Sequence, residues 1–282
     1  LPMLPEVAPE DVAVVELSSF QLISMHSSPN IAVVTNVTPN HLDHHKDMQE
    51  YIDAKRNIYL HQGGLSRTVL NADNEITASF VPQVRGMALQ FSRRTKPALG
   101  AYLGEDGVLY MNDRKGTTAI LPMDQIRIPG IHNVENYLAA ISAVWGEVSR
   151  ENIVSVAKSF PGVEHRIEFV RELDGVKWYN DSIASSPTRT IAGLNSFHQK
   201  IILLAGGYDK KIPFEPLAPK IMEKVKALIL MGVTAPKIEA AVRACADFDE
   251  QALPIYHVSN MQQAGEKARE IAREGEIVSL SP

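Results

Sequence analysis

The sequence predicts an α/β protein of two units in tandem, and three observations carry that reading. Short apolar runs rich in β-branched residues, such as IAVV, TVL, IILLA and ALILM, alternate with stretches of helical spacing. The segment GAYLGEDGVLYMN holds two strand-like runs around an EDG turn, which predicts an antiparallel annex beside the parallel strands. Finally, Pro161 and Gly162 close one helical run just before a new strand, so the boundary falls between residues 160 and 161. The expected units are residues 1–160 and 161–282.

In chain order, the first unit reads as strands DVAVVEL and IAVVTN, a helix over 48–62, strand TVLNAD and the hairpin. IPGIHNVENYLAAISAVWGEV follows, with Val134, Leu138, Ile141 and Val144 at helical spacing and Asn133 as the expected N-cap, and then a shorter helix, ENIVSVAKSF. The second unit begins with PGVEHRIEFVREL and VKWYND. From there, strands alternate with helical stretches of about 10–15 residues, which implies βαβ crossovers and a Rossmann-like parallel sheet. The sequence opens without methionine on a strand and stops as the strand EIVSL empties into a loop, so it is expected to be part of a longer protein.

A formal charge of -5, from 28 basic and 33 acidic residues, gives no electrostatic reason to expect nucleic acid or an anionic membrane as partner. No apolar run approaches the roughly 20 residues needed to span a bilayer, and the start lacks a signal-peptide pattern. The single cysteine, Cys245, lies at helical spacing and can neither staple the fold nor build a thiolate metal site. A cytoplasmic protein is the expectation.

The chemistry concentrates at strand ends. Glu16 closes the first strand, and His41, Asp43, His44 and His45 crowd the stretch TNVTPNHLDHH after the second, where ligands of open α/β sheets gather. Oxygen and imidazole donors without thiolate favour Mg2+ or Mn2+ over zinc, since the HExxH spacing that puts two imidazoles on one ion is missing. His44 and His45 read more simply as solvated loop residues. Lys55 shares the apolar side of its helix with Ile52, Ile58 and Tyr59. Its ordinary role is a snorkelling side chain, and its reactive one a desolvated, neutral amine. Asn133 and Asn136 share one face of a helical first turn, and Arg166 can clamp a phosphate or form a surface ion pair. Asn180, Asp181, Ser182, Ser185 and Ser186 lie between a strand and a helix, more polar groups than capping uses. Gly206 and Gly207 precede Asp209, Lys210 and Lys211, a turn able to receive an anion.

Taken in order and spacing, ELSSFQL, TNVTPNHLDHH, DAKRNIY, GIHNVENYLAA, FPGVEHR, YNDS and LLAGGYDK resemble the ATP-dependent Mur ligases over nearly the whole chain. ELSSFQL and YNDS resemble the members that add D-glutamate. The resemblance implies a P-loop-type central domain, truncated at its amino end, followed by a Rossmann-like C-terminal domain. It implies a monomeric enzyme of peptidoglycan precursor synthesis in which ATP phosphorylates the carboxylate of UDP-N-acetylmuramoyl-L-alanine (UDP-MurNAc-L-Ala) and the amine of D-glutamate displaces the phosphate. By the same resemblance Glu16, His41 and Lys55, the last as a carbamate, hold Mg2+. Asn133, Asn136, Arg166 and Asp181 contact ATP. Ser18 contacts the muramoyl substrate, and Ser185 and Lys210 meet the incoming glutamate or the transferred phosphate.

The sequence departs from the family pattern in several respects: the amino-terminal UDP-binding domain and the carboxyl-terminal segment expected after SLSP, which in the family completes the D-glutamate pocket, are missing, so the C-terminal domain is expected to be truncated at its end. The GxxGK[ST] loop that cradles ATP phosphates is absent, which predicts that this chain alone is inactive, and Ile183 stands where many relatives carry lysine, leaving a cationic contact to a neighbour such as Arg189. Two other readings stay open: another amide ligase of the same family, the folylpolyglutamate type included, that differs in its acceptor amino acid, and a nucleotide-binding or regulatory module without ligase chemistry.

Overall fold

The computed structural model describes residues 6–38 and 45–282, and the chain divides into two compact units. One comprises residues 1–120 and 136–149, the other 121–135 and 150–282.

In the first unit a short helix α1 (Ser19–Leu22) precedes strand β1 (Ile31–Val34), helix α2 (Met48–Leu60), strand β2 (Arg67–Asn71), a single-turn helix α3 (Glu75–Ala78) and strand β3 (Met87–Phe91). These three strands form a parallel sheet in the order β1-β2-β3. Its core is built from Ala32, Val34 and Leu70 on strands, Tyr51 and Tyr59 on α2, and Phe80, all nearly inaccessible to solvent. The expected annex is present: β4 (Gly100–Leu103) pairs antiparallel with β5 (Val108–Asp113), and β6 (Gly116–Pro122) completes a second three-stranded sheet. Gly107, at φ 76°, takes the left-handed position that the hairpin turn requires. Helix α4 (Ile131–Val144) contributes residues to both units.

One expected element is absent. DVAVVEL joins no sheet, and Val12, Val14 and Val15 are 87%, 95% and 65% exposed. β-branched alternation favours a strand, but a strand also needs a neighbour for its N–H and C=O groups, and among the described residues this segment has none.

The second unit contains helix α5 (Arg150–Ser159), strands β7 (Glu168–Leu173) and β8 (Val176–Asn180), helix α6 (Pro187–Leu194), strand β9 (Ile201–Ala205) and helix α7 (Ala218–Lys224). Strand β10 (Val225–Leu230), helix α8 (Ala235–Arg243), strand β11 (Ile255–His257), helix α9 (Met261–Ile271) and strand β12 (Ile277–Leu280) follow. The sheet order is β11-β10-β9-β12-β8-β7. Period-two alternation sorts its core into two layers. Ile201, Leu203 and Ala205 face a cluster shared with α6, α7 and α8, whereas Ile202 and Leu204 face Ala264 and Ala268 of α9. The sheet is not purely parallel, because β7 runs antiparallel to β8. Only Asp174 and Gly175 separate those strands, both at positive φ (53° and 73°), a two-residue hairpin turn with no room for a crossover helix. Cys245 lies just beyond the end of α8, partly buried against this core. Among the described residues no helix is long and apolar enough to cross a membrane.

Candidate active site

In the first unit, α2 and the ELSSFQL segment carry the chemistry. Asp47 caps α2 by accepting from the Glu50 N–H at 2.9 Å, which fixes the helix start and places Lys55 one turn beyond Tyr51. The Lys55 ammonium lies 5.8 Å from the centre of the Tyr51 ring. Burial pulls the Lys55 pKa below the ordinary lysine range, and the Glu16 carboxylate pulls it partly back. Lys55 is therefore half-buried rather than snorkelling freely, with an exposed Glu16 acting on it.

Ser18 is the N-cap of α1. It accepts from the Gln21 N–H at 3.4 Å, while the Gln21 side chain accepts from the Ser18 N–H at 2.9 Å, a reciprocal capping box. Its neighbour Ser19 lies 2.9 Å from Nε2 of His45, and that ring stacks on Phe20 at 5.1 Å between centroids. The expectation that His45 is a solvated loop residue is thus corrected: it is 5% exposed, and Nδ1 lies 3.4 Å from Glu50. It ties the end of the TNVTPNHLDHH stretch to ELSSFQL and α2. The start of that stretch is held too, since Asn71 and Asn74 donate to the carbonyls of Thr35 and Val37 at 2.9 and 3.1 Å. His41, Asp43 and His44 lie outside the described residues. Among those described, no group of three or more His, Cys, Asp or Glu side chains is arranged to hold a metal ion.

In the second unit, three motifs meet. Asn133 is not the expected N-cap, because α4 begins two residues earlier, at Ile131. Its buried amide instead donates to the Pro129 carbonyl at 2.6 Å, fastening the first turn to the chain before it. His132, which the sequence did not single out, lies close enough to Arg166 to feel its charge. Burial first, then Arg166, lowers its pKa, while Glu135 raises it. The only sequence signal for it is its position beside Asn133 in GIHNVEN.

Arg166 also acts on Asp181, so the GIHN, VEHR and YNDS segments are electrostatic neighbours. Asp181 is 5% exposed, and burial raises its pKa to about 6 against the opposing pull of the Ile167 N–H, Arg166 and Arg189. Its Oδ1 accepts from that Ile167 N–H at 3.2 Å. His165 and Ile167 flank Arg166 at φ 66° and 45°, and a β-branched residue there stores strain of about 1–3 kcal/mol. Gly193 of α6 leaves room for Asp181: a Cβ on it would stand 2.6 Å from Oδ2. Arg189, the expected substitute for the cation missing at Ile183, donates to the Ile183 carbonyl at 3.2 Å. Asn136 belongs to the other unit, on the same helix α4.

At the carboxyl edge of the second sheet the loops after β8, β9, β10 and β12 enclose a small cleft lined in part by Ser185, Thr190, Tyr208, Lys210, Thr234 and Ser281. Lys210 donates to Ser185 Oγ at 2.7 Å, Ser281 Oγ donates to Thr190 Oγ1 at 3.0 Å, and the Gly207 N–H donates to Thr234 Oγ1 at 2.8 Å. An ammonium hydrogen-bonded to one hydroxyl, in a cleft that also holds Thr190, Thr234 and Ser281, is suited to a carboxylate or a phosphate oxygen.

Residues 3–144 match the Mur ligase middle domain and residues 165–282 the Mur ligase glutamate ligase domain. The chain belongs to the Mur ligase family. This Mur ligase chain is 52% identical, along its full length, to the UDP-N-acetylmuramoylalanine–D-glutamate ligase of Acetivibrio thermocellus, and 51% identical over 99% of its length to that of Clostridium acetobutylicum. It spans about 60% of the length of these curated relatives. Among solved structures, the fold is similar to the UDP-N-acetylmuramate–alanine ligase MurC of Thermotoga maritima (TM-score 0.66, 15% identity, 90% of this chain and 56% of that one). It is also similar to a UDP-N-acetylmuramoyl-L-alanyl-D-glutamate–2,6-diaminopimelate ligase (TM-score 0.61, 19% identity, 89% and 54%). At such identities these likenesses speak to the fold alone.

Proposed function

We propose that the full-length protein is an ATP-dependent ligase that joins D-glutamate to UDP-MurNAc-L-Ala in the cytoplasm, as a monomer, during peptidoglycan precursor synthesis. The reading rests chiefly on identity near 50% along essentially the whole chain to relatives bearing that name. We place the domain boundary between residues 160 and 161.

A carboxylate is a poor acyl acceptor. Transfer of the terminal phosphate of ATP to a carboxylate oxygen of UDP-MurNAc-L-Ala makes that oxygen part of a leaving group. The D-glutamate amine then forms the amide bond, and phosphate and a proton depart. Positioning and charge neutralisation do most of this work. Asn133, Asn136, Arg166 and Asp181 are assigned to ATP, a role supported by the electrostatic proximity of Arg166 and Asp181. Ser18 is assigned to the muramoyl substrate, and Ser185 and Lys210, joined by a hydrogen bond, to glutamate or the transferred phosphate.

Glu16, His41 and Lys55 as its carbamate are assigned to Mg2+, with Mn2+ as a substitute. The state of Lys55 supports the fit. Burial favours the uncharged amine, the only form able to attack carbon dioxide, and the resulting carbamate adds hard oxygen donors near Glu16. When bound, the cation supplies charge neutralisation at the phosphate oxygens.

ADP release by the full-length gene product tests the proposal. The expected result is turnover that needs both UDP-MurNAc-L-Ala and D-glutamate. Turnover with a folate acceptor, or nucleotide binding without any ADP release, would overturn it.

A further inference from the structure

A second pocket lies wholly within the first unit, at the amino-terminal ends of β2 and β3, the opposite end of the strands from the Thr35 loop and from the edge where ligands of such sheets usually bind. Its volume is about 190 Å3, and its apolar walls are Met87, Leu89, Leu99, Met111 and Trp145. That is the space of about six waters at their ~30 Å3 share of the liquid, enough for a short hydrocarbon body.

The polar rim is unbalanced. Asp113 is its only acid, and that carboxylate already accepts three hydrogen bonds: Oδ2 from Trp145 Nε1 at 2.8 Å, and Oδ1 from the N–H groups of Lys115 and Gly116 at 2.7 and 3.1 Å. Arg67 is committed to the Ala143 carbonyl at 2.6 Å and lies 3.8 Å from Glu147. The exposed side chains of Arg114 and Lys115 have no hydrogen bond or ion pair among the described residues, although the Lys115 charge also pulls on Asp113. An apolar floor beneath two exposed cations, beside a single carboxylate that already accepts three hydrogen bonds, favours negative charge.

We propose that this pocket binds a small amphipathic anion, a carboxylate on a body of about five or six carbons, seated on Trp145, Met87 and Leu99 with its charge at Arg114 and Lys115. Because it shares no side chain with the catalytic assignments, it stands or falls independently of them.

The test follows the Trp145 indole N–H by NMR in the 15N-labelled chain, with Trp145→Phe to assign it between the two tryptophans, during titration with hexanoate, hexan-1-ol and hexylammonium. Hexanoate is expected to shift the Trp145 signal saturably with a millimolar dissociation constant, hexan-1-ol to bind at least about fivefold more weakly, and hexylammonium to give no saturable shift. Replacing both cations (Arg114→Ala with Lys115→Ala) is expected to weaken hexanoate about fivefold while the other resonances stay in place, and Met87→Trp, which fills the pocket from its exposed rim, to abolish binding. No saturable shift with hexanoate, equal binding of hexanoate and hexylammonium, or an unchanged dissociation constant in the doubly substituted chain would overturn the proposal.

Discussion

Lys55 and Asp181 lie in different units and carry opposite charges when ionised, yet burial pushes both toward their neutral forms. Their surroundings differ in what resists that push. Around Lys55 the resistance comes from one exposed carboxylate, Glu16. Around Asp181 it comes from a backbone N–H and two arginines, and the carboxyl group still titrates near pH 6. Desolvation wins in both places, and the neutral form has a different use in each. Only the neutral amine is a nucleophile, so burial makes the reactive form of Lys55 more accessible than it is in water; at Asp181 the same effect makes the carboxyl group easier to protonate.

The largest effect is expected at Lys55. In the full-length protein Lys55→Ala should lower ADP release by at least about a thousandfold, and added bicarbonate should not restore it. Substantial retained activity would mean that the shifted lysine is only a packing residue.

Asp181 sharpens the contrast through stability. Its pKa rises from the usual 3.8 to about 6, so the folded chain binds the proton more tightly than the unfolded chain. The resulting stabilisation is present in full below about pH 4 and is lost as pH rises through about 6, with a ceiling of about 3 kcal/mol. Asp181→Asn holds the side chain neutral. Denaturation of the chain at pH 7 should show the variant more stable than wild type, with the difference vanishing at pH 4, while turnover of the full-length enzyme falls. Equal stability at both pH values would show that the carboxylate is not desolvated.

A smaller effect is expected at Gly193→Ala, where the new methyl meets Asp181 Oδ2 and the carboxylate must move. Destabilisation of about 1–2 kcal/mol is expected, measurable by denaturation. Smallest is Ser18→Ala, which should cost about 0.5–1 kcal/mol through the lost cap, read from the denaturation midpoint.

Much of this architecture was legible because burial leaves a periodic trace. IILLA reads as a strand buried on both faces, and it lies between two helical layers. DVAVVEL is also rich in apolar and β-branched residues, but pairing depends on a neighbour that no local pattern supplies. The β7–β8 hairpin was legible in principle, since Asp174-Gly175 is a strong turn signal; the helix–strand alternation that follows it outweighed the turn. Among the candidate residues, residue types marked Lys55 in the first unit and Asp181, Ser185 and Lys210 in the second, where the Lys210–Ser185 hydrogen bond joins segments 25 residues apart. His45 and His132 were illegible because desolvation and contact with Phe20 or Arg166 arise only when distant segments pack.

The central claim is that burial on one side of Lys55 and Glu16 on the other prepare an amine to become an anion. Carbon-13 NMR of the full-length protein in 13C-bicarbonate tests this directly. The account predicts a carbamate resonance that is present in the wild type, lost in Lys55→Ala and strengthened by added divalent cation. A spectrum without that resonance, or one in which it persists after Lys55→Ala, would contradict it.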